Sequence, residues 1–438
     1  MDATPRDETE ETRLQIFVFY ILIVGVGLAT GAASSVLHAG LDAMHTFRHS
    51  LRTSDSLGTL PAVIIAGLAA AALTCGGTWL VRRFAPDTAG SGIPEIIETL
   101  RGDRTLDWRR VIPVKLGAGL AGIGSGLVLG REGPTIHLGG AMAAMIAEIT
   151  KMSRRNTLAA ITAGAGAGLA AAFNAPLAGI IFVTEEMRRV FDFKFRSFQA
   201  VILACVVATM VNDRLFSQGP ILDIPHYRDP AIIDMLLMLP LGIFIGAFGV
   251  LLNAGIVNRV KVFAGLPQRV PYLWAALVGG IAGVLVILAP TATGGGEGLV
   301  VADITVHPGA VGLFVLFLAR SLMLMASYSS GVPGGLFAPM LSIGTAIGLL
   351  YGAILTQLGL ISDLPVGIFA VAGMGALFAA MVRAPLTGIV IVVEMTGATD
   401  LILSIMVTSI LATFTAETLG GKPIYSQLTK RKAGEEED

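Results

Sequence analysis

A carboxylate stands where hydrocarbon would be expected, in Gly130-Arg131-Glu132-Gly133-Pro134. The stretch before it, Val114–Leu129, carries one charge (Lys115), and Thr135–Ala147 after it carries none. Ionisable groups at membrane depth are costly and mark functional sites by default. Flanking glycines and a helix-starting proline bring this acid to an exposed helix N-terminus, which attracts anions. An acid sitting where an anion should bind suggests a gate. Its alternative use is as a charge partner for Arg131 or Lys115.

Two more segments share this local chemistry: Gly90-Ser91-Gly92-Ile93-Pro94-Glu95 and Gly334-Gly335-Leu336-Phe337-Ala338-Pro339. Glycine permits unusual backbone angles and close approach of a ligand, while proline sets the first helical turn and leaves neighbouring N–H groups unpaired. Such a site holds an anion through partial charges, weakly enough for release. Ser91 also reads as an N-cap for the helix starting near Pro94, and both roles can coexist. On spacing alone Tyr425, with Lys422 and Lys430 nearby, reads as an interfacial aromatic. Glu185 and Glu186 close the uncharged run Asn156–Thr184 and precede Met187-Arg188-Arg189. His137 reads as a packed histidine rather than a proton relay. Gly294–Gly298 lacks the Lys-Ser/Thr of a phosphate-cradling loop and reads as a plain loop.

The elements that must position these residues are membrane helices. The chain is 54% hydrophobic and 14% charged, against about 25% charged in soluble domains, and its mean hydropathy is +0.76. Leu14–Leu41, Ser56–Val81, Asn156–Thr184 and Met235–Asn258 each exceed the ~20 residues of a bilayer crossing, and Ser321–Ser362 is long enough for two. The 54 glycines and small-xxx-small spacings in Gly117–Gly130 and Ala163–Ala172 suit closely packed membrane helices. The short alternating segments of a β-barrel are missing from the sequence. The fold expected is an all-α polytopic membrane protein. Basic clusters at Arg82-Arg83, Arg101–Arg110, Lys151–Arg154, Arg188–Arg196 and Lys430–Lys432 place those loops and the C-terminus in the cytoplasm, and Thr291–Pro308 outside. The acidic first 13 residues lack the features of a signal peptide, so the first apolar run is expected to persist. Cys75 and Cys205 read as buried small hydrophobes, and neither a cysteine framework nor metal-ligand spacing is present. A net charge of −1 identifies no partner, and no nucleic-acid binding is expected.

The chain also repeats itself. Ala163–Glu185 and Ala372–Glu394, at an offset of 209, agree at 13 of 23 positions, including Ala-Pro-Leu-x-Gly-Ile and the terminal glutamate. Gly130, Pro134, Gly139 and Ala141 correspond to Gly335, Pro339, Gly344 and Ala346 at an offset of 205. Duplicated halves commonly place a transport site where broken helices from both halves meet. Glu186 has no acidic counterpart in the second half and reads as an added acid. Its alternative is a solvated residue paired with Arg188 or Arg189.

GSGIPE, GREGP and GLFAP in this order, with the late Gly420–Ser426 (GGKPIYS), resemble the signature motifs of the CLC family of chloride channels and chloride/proton antiporters. The resemblance runs from about Ser56 to Tyr425 and is closest to the bacterial antiporters. It implies two inverted halves of tilted and broken helices, roughly 14–225 and 230–425 within a membrane domain 14–425. Residues 1–13 and 426–438 would be cytoplasmic, with no soluble appendage and no nucleotide regulation of that kind. It also implies a homodimer in the plasma (cell inner) membrane, each lipid-embedded subunit having its own pore. By resemblance, Ser91, Tyr425 and the N–H groups of Leu336 and Phe337 hold chloride. Glu132 is the gating glutamate, competing with chloride when charged and swinging away when protonated. Glu186 matches the inner proton-transfer acid that passive channels commonly lack. Ser91 favours chloride, since nitrate-preferring members carry proline there. Chloride is the transported ligand, and no cofactor is expected. A passive chloride channel is the nearer alternative; an integral membrane enzyme using Glu132 finds no nucleophile–His pair, metal cluster or phosphate loop in support.

Overall fold

A chain crossing hydrocarbon must satisfy its backbone hydrogen bonds within each segment, so apolar runs fold as helices and glycine and proline decide where they stop. The structure, a computed structural model, describes residues 12–53, 58–188, 190–191, 194–216, 221–227, 230–267, 269–296, 309–361 and 364–429. The N-terminal residues before these and the tail from Lys430 onward lie outside the described residues, as do Arg189 and the stretch from Glu297 to Pro308, which includes Gly298 of the Gly294–Gly298 loop. The first half contributes α1 (Arg13–Thr53), α2 (Thr59–Phe84), α3 (Ile93–Arg101), α4 (Trp108–Gly124), α5 (Glu132–Ile149), α6 (Arg154–Phe173), α7 (Pro176–Glu186) and α8 (Phe195–Leu215). The second contributes α9 (Met238–Ala264), α10 (Val270–Leu288), α11 (Gly309–Tyr328), α12 (Phe337–Gln357), α13 (Gly367–Val382), α14 (Pro385–Thr396), α15 (Ile402–Thr418) and the short α16 (Ile424–Leu428). Among the described residues, nine helices are long and apolar enough to cross a membrane. The run Asn156–Thr184 is not one crossing but two helices. Asn174 adopts a left-handed conformation (φ 48°) that ends α6, and Pro176 opens α7.

Small residues build the centre. Helix α13 is buried along its whole length, as is α6 from Ala159 to Phe173. Outer helices α1, α2, α9, α10 and α11 instead expose Leu14, Phe17, Leu68, Leu251, Leu273 and Val311, as lipid-facing surfaces do. Cys205 is buried, whereas Cys75 lies half-exposed on the flank of outer helix α2. Where α5 crosses α6, a Cβ added to Gly139 or to Gly164 would collide with the other's carbonyl oxygen. Gly344 and Gly373 oppose each other identically where α12 crosses α13. The sequence repeat is therefore a repeat of helix crossings.

The terminal glutamates of the repeat are exchanged between halves. Glu394 accepts from the N–H groups of Leu177 (3.1 Å) and Ala178 (2.7 Å) at the start of α7. Glu185 accepts from the N–H groups of Leu386 (3.2 Å) and Thr387 (2.8 Å) at the start of α14, and from the Thr387 hydroxyl (2.8 Å). Helices α7 and α14 thus lie antiparallel, each ending in a carboxylate that caps the other. This satisfies N-terminal donors that have no intrahelical partner and sets a negative charge at each dipole's positive end.

Two stability outcomes are expected from thermal unfolding of the detergent-purified protein. Valine at Gly164 or Gly373 should cost at least ~1–3 kcal/mol by forcing a close crossing apart. Alanine at Glu185 or Glu394 should cost a matched ~1–2 kcal/mol, partial exposure keeping the loss below that of a fully buried charged hydrogen bond.

Candidate functional site

The three glycine-led helix starts meet at the junction of the halves and are joined backbone to backbone. Gly90 donates to Val332 O (3.2 Å) and accepts from Gly334 N (3.0 Å). Gly130 donates to Gly335 O (2.9 Å), and Gly335 donates back to Gly130 O (2.6 Å). Loops that could not otherwise survive at membrane depth satisfy one another. Three helices, α3, α5 and α12, start from this junction, and α16 brings Tyr425 to it.

Glu132 is the first residue of α5 and is fully buried. Its Oε1 accepts from the Ala338 N–H at 2.9 Å, in the first turn of α12. The carboxylate lies over the Cα atoms of Gly130 and Gly335, and a Cβ at either glycine would run into it. These two glycines therefore form a cradle whose shape admits an anionic oxygen beside unpaired N–H groups. Leu336 and Phe337 stand immediately before Ala338, so their N–H groups have no carbonyl one turn back within the helix. A side-chain carboxylate occupies one donor of a helix terminus that is built to receive an anion.

Ser91 is buried just ahead of α3; its hydroxyl oxygen accepts from Ile93 N at 3.3 Å, and its own N–H donates to the Tyr328 hydroxyl at 3.4 Å. The N-cap position itself belongs to Gly92, at φ 89°, where an added Cβ would also meet the His137 ring. Because the Ser91 oxygen accepts from Ile93, its hydroxyl hydrogen is available to point elsewhere. Tyr425 is fully buried, which rules out the interfacial position that its spacing alone had favoured. Its hydroxyl has no hydrogen-bond partner among the described residues, and its ring centroid lies 6.1 Å from that of Phe337. Phe337 is also packed by Phe378 (4.7 Å), Phe182 (5.5 Å) and Phe173 (6.5 Å), so the first turn of α12 is held by an aromatic cluster.

Ser91, Glu132, Leu336, Phe337 and Tyr425 are thus brought into one buried region. Glu186 stands apart, partly exposed at the end of α7. The Tyr425 hydroxyl lies within electrostatic reach of both Glu186 and Glu132.

Lys115 does not serve Glu132. Fully buried, it donates to the carbonyls of Gly90 (2.9 Å) and Thr88 (3.1 Å) and is electrostatically linked to Glu95. It therefore ties down the loop that carries Ser91. His137 is packed as expected, though neither ring nitrogen finds a partner among the described residues. Sequence reasoning missed Ala338 as the residue whose N–H meets Glu132, since a backbone donor leaves no side-chain signal. It missed Tyr328 as well, a tyrosine in an apolar helix whose role depends on a contact across the halves. The loop-positioning role of Lys115 had a signal, a lone charge in an apolar run, but its partners are carbonyls.

Residues 71–417 match the family model described as "Voltage gated chloride channel". The chain is 44% identical over 413 residues to a protein of Vibrio vulnificus named "H(+)/Cl(-) exchange transporter ClcA", covering 93% of this chain and 88% of that one. It is 41% identical over 420 residues to a protein of the same name from Vibrio parahaemolyticus, covering 94% and 90%. Among solved structures, a slow cyanobacterial Cl-/H+ antiporter superposes with a TM-score of 0.89 at 34% identity, covering 94% of this chain and 97% of that one. A CLC-type fluoride/proton antiporter, at 21% identity and a TM-score of 0.77 over 95% of this chain and 99% of that one, shares the fold. The motif order, the duplicated broken-helix scaffold and these similarities agree: the chain belongs to the CLC family of chloride channels and transporters.

Proposed function

We infer that this protein is a secondary active transporter that exchanges chloride for protons across the membrane. The observation that carries this reading is the Glu132 carboxylate accepting from the N-terminal donor Ala338 N–H in a fully buried cradle. A charged carboxylate and a chloride ion are rivals for such a donor. Protonation removes the charge that holds Glu132 there, and the vacated donors accept chloride. One side chain is therefore both the anion's competitor and the proton's carrier, which couples the two fluxes.

Chloride would be held by the Ser91 and Tyr425 hydroxyls and by the N–H groups of Leu336 and Phe337. Each contributes a partial charge, so the ion is bound and still released. Glu186 would supply protons from its own face of the protein, and the electrostatic proximity of Tyr425 to both acids supports a path past that ring. Relatives 44% and 41% identical to this chain over the aligned residues are named exchange transporters, and the presence of Glu186 favours exchange over a passive channel. By the positive-inside rule the basic loops support a cytoplasmic Glu186 end, and with it both termini would face the cytoplasm from the cell inner membrane. The functional unit is a homodimer in lipid, each subunit with its own route.

In vesicles reconstituted with the purified protein, an imposed pH gradient should drive tracer chloride uphill. Chloride flux without accompanying proton movement would identify a channel instead. Glu132→Ala should reduce proton flux to background while chloride still crosses. Wild-type chloride flux should fall as pH rises, because Glu132 remains charged in its cradle, and Glu132→Ala should lose that dependence. Glu186→Gln should impair proton flux while sparing chloride. Separately, Ser91→Ala and Tyr425→Phe should each weaken chloride binding in calorimetric titration by roughly 10- to 100-fold, the worth of one hydrogen bond to a charged partner.

A further inference from the structure

On the face opposite Glu186, the Gly130–Arg131 turn forms the floor of a cavity of about 660 Å3. The sidedness follows from α1 and α8, which run side by side in the same direction. Near their starts the Tyr20 hydroxyl donates to Gln199 (2.6 Å), and beyond, the His38 ring stacks on Phe216 (4.3 Å) just past the end of α8. Helix α8 begins shortly after Glu186, so the last turns of α1 reach the other face.

Those last turns form one wall. His45, Arg48, His49 and Arg52 recur at helical spacing and all line the cavity, with Arg131 joining them from the floor. Among the described residues Asp42 is the one carboxylate lining it, and the His38 imidazole stands 3.4 Å from that group. Arg48 is steadied by one bond, from Nη1 to Gly124 O (3.0 Å). The opposite wall, Pro290 to Gly296, is a loop rich in carbonyls that might have opposed this charge. They are turned away: buried Arg320 collects those of Thr291 (2.8 Å), Thr293 (3.0 Å), Gly294 (2.9 Å) and Gly295 (2.9 Å). Among the described residues the cavity is left with basic side chains opposed by Asp42 alone, and four carbonyls of the facing loop are taken up by Arg320.

This exceeds what a halide needs. The inner site manages chloride with partial charges, whereas the outer cavity gathers three guanidinium groups, and two imidazoles that add charge when protonated. Its volume is in the range of small-molecule pockets. Guanidinium groups match the oxygen geometry of carboxylates and phosphates, and several acting together favour a ligand with several charges. We propose that this vestibule binds small oxyanions bearing several negative charges, phosphates and polycarboxylates alike, and that a bound one obstructs chloride's access to Glu132. The obstruction rests on the exchange reading above, since it takes the Gly130–Arg131 mouth to be chloride's route; the binding does not.

Tripolyphosphate and citrate, the two probes, would be added to one side at a time of a bilayer holding oriented protein while chloride current is recorded. Block is expected from the cavity side alone. In the variant carrying His45→Gln, His49→Gln and Arg52→Gln, chloride current should persist because the Glu132 cradle is untouched, and block is read as a fraction of that variant's own current. The half-blocking concentration should rise roughly tenfold, three exposed charge contacts being lost. Block by one probe only would narrow the ligand to phosphates or to polycarboxylates. Equal block of wild type and variant, or no block by either probe, would overturn the proposal. Calorimetric titration of tripolyphosphate into the detergent-purified protein decides the binding independently. Heat in the wild type that is lost in the variant supports the site even if no chloride current is found, and absent heat sinks it.

Discussion

Backbone N–H and C=O groups cannot be left unpaired at membrane depth, and the centre of this protein follows from that constraint. Helices that break midway release donors and acceptors, and the breaks survive only because they satisfy each other. Gly130 and Gly335 exchange hydrogen bonds across the halves, and Gly90 does the same with the Val332–Gly334 turn. Once these loops are joined, helix N-termini are held at the junction with their donors directed inward. An anion site is what remains when most of the backbone polarity has been paired and a few N–H groups have not. Lys115 extends the same logic, neutralising the carbonyls of Thr88 and Gly90 behind the Ser91 loop.

Duplication supplies the scaffold, and departures from duplication supply the chemistry. The crossings at Gly139/Gly164 and Gly344/Gly373, and the exchanged caps of Glu185 and Glu394, treat the halves alike. Where the first half places Glu132, the second places Phe337, so a carboxylate from one meets the helix terminus of the other. Phe337 in turn is packed by Phe173, Phe182, Phe378 and Tyr425, which fixes the terminus that Glu132 meets. Glu186, beside the symmetric Glu185, is the acid that the repeat does not require. A symmetric frame that holds one buried carboxylate against a helix terminus is a physical arrangement suited to coupling.

Much of the candidate site was legible because its signals are local. An acid in an apolar run, glycines before a helix-opening proline, and a repeated terminal glutamate can each be read without knowing what lies opposite. Residues whose meaning depends on a distant partner were less legible. Tyr425 looked interfacial from its lysine neighbours yet is fully buried. Lys115 was weighed as a partner for Glu132 yet binds two carbonyls. The length of the apolar run Asn156–Thr184 suggests one crossing, but its Asn174-Ala175-Pro176 break divides it: a left-handed residue ends one helix and Pro176 starts the next.

From the sequence alone follow a polytopic helical membrane protein, its duplication, the family resemblance and the position of Glu132 at a helix start. These depend on composition, periodicity and short spacings, which are properties of the chain itself. Only the tertiary structure decided what Glu132 touches: the N–H of Ala338, 206 positions further along. It likewise decided that Glu185 and Glu394 cap each other's helices, and that the basic residues at the end of α1 line one cavity with Arg131. The reason is that a backbone donor carries no residue-type signature and that a glycine or glutamate does not name its partner, so their pairing becomes visible only when the two halves are folded against each other.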